Sequence, residues 1–86
     1  MPTISQFYGI SIRMYYNDHL PPHFHALYGE KELVITIQPI DILQGDASPK
    51  VRSLVLEWTA LHQQELAQNW QRCRNAEAPL AIEPLE

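Results

Sequence analysis

The sequence predicts an α+β fold: a small antiparallel sheet of three to four strands packed on one long C-terminal helix. Three observations predict it. In the first half, apolar and polar residues alternate with period two, the mark of half-buried strands. From Val51 to Cys73, apolar residues recur three and four apart, as on a helix with one buried face. Pro and Gly divide these stretches at Gly9, Pro21, Pro22, Gly29, Pro39, Gly45 and Pro49, where strands end or a helix begins.

The first extended stretch runs from Ile4 to Tyr16. Ile10, Ile12, Met14 and Tyr16 alternate there with Ser11, Arg13 and Tyr15. Gly9 marks a bulge or a close backbone approach. Asn17-Asp18 can form a turn stabilised by its own side chains. Pro21 and Pro22 lack amide donors, so the link they sit in is not a central strand. A second strand is expected from His23 or Phe24 to Tyr28, a polar turn at Gly29-Glu30-Lys31, and a third strand from Glu32 to Gln38. The two strands flanking Gly29 read as a hairpin. Ile40 to Leu43 is a further short extended piece, followed by a turn at Gln44-Gly45-Asp46.

The helix begins with Ser48 as N-cap and Pro49 at its first position. Arg72 and Arg74 near its end favour the helix dipole, and Asn75 with Pro79 closes it. The chain thus divides into a β-rich part (1–47), a helix (48–75) and an extended tail (76–86) whose Leu80, Ile82 and Leu85 can dock on the rest.

With 86 residues the chain makes one domain with one modest core. Six Lys/Arg against ten Asp/Glu leave a net charge of −4. No basic stripe is present, which speaks against nucleic acid as a partner, because phosphate neutralisation supplies most of that affinity. Cys73 is the single cysteine, so no internal disulfide can form. One thiol and no secretory signal suggest a reducing, cytoplasmic setting. No apolar run approaches the ~20 residues that span a bilayer.

Three of the four histidines lie in Asp18-His19-Leu20-Pro21-Pro22-His23-Phe24-His25. Histidine changes charge near neutral pH and is the commonest metal ligand. If Phe24 lies in a strand, His23 and His25 leave one face about 6–7 Å apart. Two imidazoles at that spacing can converge on one ion at about 2.0–2.1 Å each. Asp18 and His19 sit across the Pro-Pro link and can add a ligand or an orienting carboxylate. The candidates for catalysis are His23, His25 and Asp18; those for a metal are His19, His23, His25 and His62, with a divalent ion such as zinc as the cofactor. The alternative is a polar strand surface whose prolines only fix a turn.

The helix adds three polar residues to its apolar face. On a 100° wheel, His62, Glu65 and Asn69 fall within about 40° of Val51. Glu65 can orient His62 one turn away. Either His62 is a satisfied core histidine, or it faces His23 and His25 across the layer. Strand alternation makes the second option incompatible with a core-facing Phe24. The expected arrangement has Phe24 in the core and an exposed His23/His25 pair with Asp18 and His19 beside it. His62 then lies in a different environment. Tyr8, Tyr15, Tyr16 and Tyr28 add polar-tipped aromatics near the histidines, and Cys73 is expected to be buried rather than reactive.

Several strings carry a resemblance: Met1-Pro2-Thr3-Ile4-Ser5 with Phe7-Tyr8-Gly9-Ile10, the run Ile12–His19, Pro21-Pro22-His23-Phe24-His25, and Leu56-Glu57-Trp58. They are similar to a bacterial family of small proteins described as domain of unknown function 4160. The resemblance runs from Met1 to about Trp70, and the tail Ile82-Glu83-Pro84-Leu85 is similar to the family's ending. Leu20 departs from the pattern, which expects a third proline there. The resemblance implies a bacterial origin, a compact α+β domain and a gene neighbour encoding another small domain, the two forming a toxin–antitoxin-like pair. It implies no reaction and no catalytic residues.

Three functions compete. The first is an interaction module that pairs with the small neighbouring protein or with itself. The second is a metal- or histidine-dependent hydrolase or nuclease using the His19/His23/His25 region. The third, a ribosome- or RNA-targeting toxin, is disfavoured by the acidic balance.

Overall fold

A computed structural model describes residues 2–86. The α+β class is as expected, but the sheet has five strands and the helical part has two helices. The strands are β1 (Thr3–Phe7), β2 (Ile10–Arg13), β3 (His23–Tyr28), β4 (Lys31–Ile37) and β5 (Ile40–Gly45); the helices are α1 (Pro49–Leu61) and α2 (Gln63–Arg74). The sheet is an antiparallel meander in the order β1-β2-β3-β4-β5.

The extended stretch expected from Ile4 to Tyr16 is a hairpin instead. Tyr8 and Gly9 both have positive φ, 51° and 80°, so the chain turns back at this pair and Ile10 pairs with Phe7. Two-residue hairpins favour such a turn, usually with Asn or Asp at its first position. Tyrosine there hides the signal. Ile40 to Leu43 proves to be the core of a fifth strand.

The predicted single helix breaks at His62, whose φ of −123° and ψ of 25° leave the helical region. Its N–H is shared between Trp58 O and Thr59 O. One turn earlier the Thr59 hydroxyl donates to Val55 O at 2.7 Å, a back-bond that bends helices. Just past the break, Gln63 Nε2 donates to Ile37 O at 2.7 Å and ties α2 to the sheet.

One sheet face carries Ile10, Ile12, Phe24, Ala26, Leu33, Ile35 and Ile37 against Val51, Val55, Trp58, Leu66 and Trp70 of the helices. Phe24 lies in this core, as strand alternation requires. The tail docks as an extended segment. Ile82 is buried and donates its N–H to Ile4 O at 2.8 Å, and Trp58 Nε1 donates to Glu83 O at 2.8 Å. Leu80 is held through its backbone, while its side chain stays exposed. Asn69 is the clasp: its amide donates to Leu80 O and accepts from Leu80 N–H, both at 2.8 Å. This explains a polar residue on the apolar face of the helix. Burial costs Asn69 little because both ends of its amide are paired.

Asn69→Ala leaves two backbone groups of Leu80 without partners. Urea unfolding is expected to show a loss of about 2–3 kcal/mol. Amide exchange at Leu80 and Ile82 should speed up, while β3 and β4 stay protected.

Candidate functional site

Residues 14–22, between β2 and β3, form a loop clamped at three points. Met14 N–H donates to Pro2 O, Asn17 N–H to Cys73 O, and Ile37 N–H of β4 to Pro22 O, at 3.2–3.3 Å. Asn17 takes φ 55°, a left-handed conformation that Asn tolerates better than most residues. Thus held, the loop borders the sheet face opposite the helices, where β3 presents His25. His23, the first residue of β3, sits at the end of the sheet with its ring 5.3 Å from that of Trp70 on α2. The pair is therefore not exposed as the sequence suggests. His23 is buried at 3% exposure and His25 is partly buried.

Asp18, His23 and His25 converge, with one donor atom from each lying within 4.8 Å of the others. His23 Nε2 is 2.9 Å from Asp18 Oδ2, and His25 Nε2 is 3.7 Å from the same oxygen. Each ring is held by its other nitrogen. His23 Nδ1 donates to Pro21 O at 2.7 Å, and His25 Nδ1 donates to Glu32 Oε2 at 2.8 Å. Tyr15 packs its ring edge to face on His25 at 4.6 Å.

These contacts constrain protons. Pro21 O and an ionised Asp18 are acceptors only. His23 therefore meets two acceptors, and a neutral imidazole carries one N–H. The arrangement is satisfied by an imidazolium, or by a cation between His23 and Asp18. His25 Nε2 is buried without a hydrogen-bond partner and, with its proton on Nδ1, turns a lone pair toward the same point. Burial raises the Asp18 carboxyl, but the His19 amide and the His23 and His19 rings outweigh it. The net effect holds the group below its usual range.

His19 does not join the cluster. Its side chain is 83% exposed, and Nδ1 meets the other Asp18 oxygen at 2.9 Å. His62 is elsewhere, as strand alternation implies. It packs on Trp58 at 5.4 Å and bonds Glu65 through Nδ1 at 2.6 Å, beside the tail. This is the satisfied-histidine reading. Of the four tyrosines, only Tyr15 and Tyr16 border the histidines; Tyr8 and Tyr28 flank a groove beside the start of α1. Cys73 is buried, which pushes its thiol pKa up.

The cluster opens into a cleft of about 310 Å³ walled by Tyr15, Tyr16 and Asn17 of the loop, Val34 of β4, and Leu43 and Gln44 of β5. Sequence reasoning missed Glu32, Leu43 and Gln44. Glu32 had a signal: a tight turn after Tyr28 pairs Leu27 with Glu32 and His25 with Val34, which makes His25 and Glu32 diagonal neighbours on one face.

Asp18→Asn takes the charged partner from a buried ring. Urea unfolding is expected to show a loss of about 1–3 kcal/mol. His19→Ala, at the exposed rim, should stay within about 0.5 kcal/mol of the parent protein.

Comparison with curated proteins and with solved structures gives no match. A protein family described as Domain of unknown function (DUF4160) matches residues 9–71. That span includes the clamped loop, the three converging side chains and Glu32, together with β5, α1 and most of α2. The chain belongs to this family.

Proposed function

We propose that this protein is a divalent-metal-dependent hydrolase whose metal, best matched by zinc, is held by Asp18, His23 and His25. One observation carries the reading. Two histidines turn Nε2 toward a single carboxylate oxygen, while each Nδ1 is fixed on an acceptor. Metal-binding histidines are oriented in this way, by a carbonyl or carboxylate on the second ring nitrogen. Three protein ligands with an open fourth position are typical of catalytic rather than structural zinc. Here the open side is the cleft.

The bound ion would supply an activated water or polarise a carbonyl. The chain's own groups do the rest. Pro21 O and Glu32 fix the ring tautomers. Tyr15 holds the His25 ring in place. His19, at the mouth on the far oxygen of Asp18, is placed to take or give a proton. Asp18 and His23 alone, as an acid–base pair, are the metal-free version of the same site.

The interaction-module reading rests on a different feature, the outer edge of β5, which no strand pairs among the described residues. A small partner or a second copy of the chain could add there. Among the described residues no helix is long and apolar enough to cross a membrane.

Zinc titration by calorimetry, with metal analysis of untagged protein, should give one site per chain. His23→Ala, His25→Ala and Asp18→Ala should each weaken it at least about 100-fold, and Glu32→Gln about 10- to 100-fold. His62→Ala should leave it unchanged. Zinc binding that survives the His23→Ala/His25→Ala double variant would overturn the assignment, as would no zinc binding at all.

A further inference from the structure

Arg13 stands beside the three proposed ligands without a counterion. It lies directly opposite His25 in the β2–β3 register, and residues so paired share a face with their Cβ atoms about 4.5–5.5 Å apart. The same row continues through Val34 to Gln44. His25 is thus flanked by Arg13 on one side and by a wall of the cleft on the other. The Arg13 Nε is buried, and no described group accepts its N–H. Among the described residues, no ion pair includes Arg13.

A guanidinium keeps its charge throughout the range in which proteins are folded, and a buried donor without an acceptor costs about 1–3 kcal/mol. The carboxylates of this face are engaged elsewhere. Asp18 meets His19 and His23, Glu32 holds His25 Nδ1, and Asp41 accepts from the Ile42 N–H. Beside Arg13, His25 Nε2 is also buried without a hydrogen-bond partner. A free N–H donor next to a lone pair that can hold a metal suits a ligand that is anionic and meets a metal through oxygen.

The remaining cations are placed elsewhere. Lys31 falls on the helix side of β4 by alternation with Glu32, and Lys50, Arg52, Arg72 and Arg74 belong to α1 and α2. A nucleic acid needs several cations along its backbone, and this face offers Arg13 alone. It suits one anionic group on a small molecule. The place of Arg13 also says which part of that molecule it holds. A group between Arg13 and His25 lies at the reacting centre rather than at a remote handle. A carboxylate held there has no leaving group to lose in hydrolysis. A phosphoryl group brings both the charge and the bond to be broken.

We infer that the substrate is a phosphate monoester, with Arg13 donating from Nε to a phosphoryl oxygen beside the ion held by Asp18, His23 and His25. Its cleavage rests on the hydrolase reading; phosphate binding at Arg13 does not. In the hydrolytic step the oxygen of water adds to phosphorus, the ester P–O bond breaks, and the leaving oxygen takes a proton from that water. The products are an alcohol and inorganic phosphate, and no oxidant or reductant is needed.

The test follows the Arg13 Nε–H resonance of the isotopically labelled full chain, metal-free and zinc-loaded, as inorganic phosphate is added. The resonance should shift saturably in both forms, and at lower phosphate with zinc. Arg13→Gln, and Arg13→Lys, which keeps the charge but loses the Nε donor, should each weaken phosphate binding about 10- to 100-fold. Both should keep the parent zinc affinity. Arg52→Gln, exposed on α1, should change neither. With zinc, kcat/KM for p-nitrophenyl phosphate should fall by the same factor in the Arg13 variants, and that for p-nitrophenyl acetate should not. An unmoved Arg13 resonance in the parent protein would overturn the inference even if a variant failed to fold. Phosphate affinity indifferent to both Arg13 variants, acetate bound as tightly as phosphate, or preference for bis(p-nitrophenyl) phosphate or an oligothymidylate would overturn it too. Zinc binding with cleavage of the acetate ester but no phosphate binding would keep the hydrolase and remove this substrate class. Phosphate binding at Arg13 without zinc binding would support the anion site and overturn the hydrolase.

Discussion

Phe24 and Trp58 are both fully buried, and their rings meet near edge to face with centroids 5.9 Å apart. This contact joins β3 to α1. Because successive strand residues point to opposite faces, anchoring Phe24 under α1 turns His25 to the face opposite the helices, while His23, at the end of the strand, still meets the Trp70 ring of α2. One packing decision therefore sets the sheet-to-helix interface and the direction of His25, and the loop and Trp70 fix His23 beside it. Shifting β3 by one residue would turn the His25 imidazole into the core and Phe24 out of it. The cost of such a slip keeps the register unique.

The second constraint is the clamped loop. Two adjacent prolines restrict the backbone before His23, and Met14, Asn17 and Pro22 tie the rest to the N-terminal segment, α2 and β4. Asp18 is thereby delivered to histidines that its own strand could not reach. Its carboxylate serves three rings at once: His19 on one oxygen, and His23 with the more distant His25 on the other. A carboxylate on a loose loop would sample many positions. Here its place is set by backbone bonds on both sides.

Much of this was legible in the residues. Period-two alternation located β3 and β4 closely and separated Phe24 from its flanking histidines. The Ser48-Pro49 start of α1 was read correctly, with Ser48 Oγ accepting from Val51 N–H. What escaped was set by tertiary context. Tyr8 adopts a left-handed conformation that its side chain does not advertise, so a hairpin looked like one long strand. The break at His62 follows from a ring resting on Trp58 and from Gln63 reaching across to Ile37. Periodicity cannot see either contact, because the apolar stripe continues through the break. The histidines were singled out as exposed because local sequence does not show the loop beside them or the Trp70 ring against His23.

The clasp between Asn69 and Leu80 has a consequence for how the molecule assembles. Each strand pairs with its sequence neighbour, so the sheet closes through short connections and its contacts are local. Low contact order of this kind favours rapid folding. The bond between Ile82 and Ile4 is different, since it joins segments near opposite ends of the chain. Closing so long a loop costs entropy that one backbone bond cannot offset alone. Asn69 shortens the problem. It captures the tail from within the nearby helix and delivers Ile82 to β1 as a short extension. The tail thus lies on the finished sheet and helices as a latch, held at Asn69 and closed at Ile4.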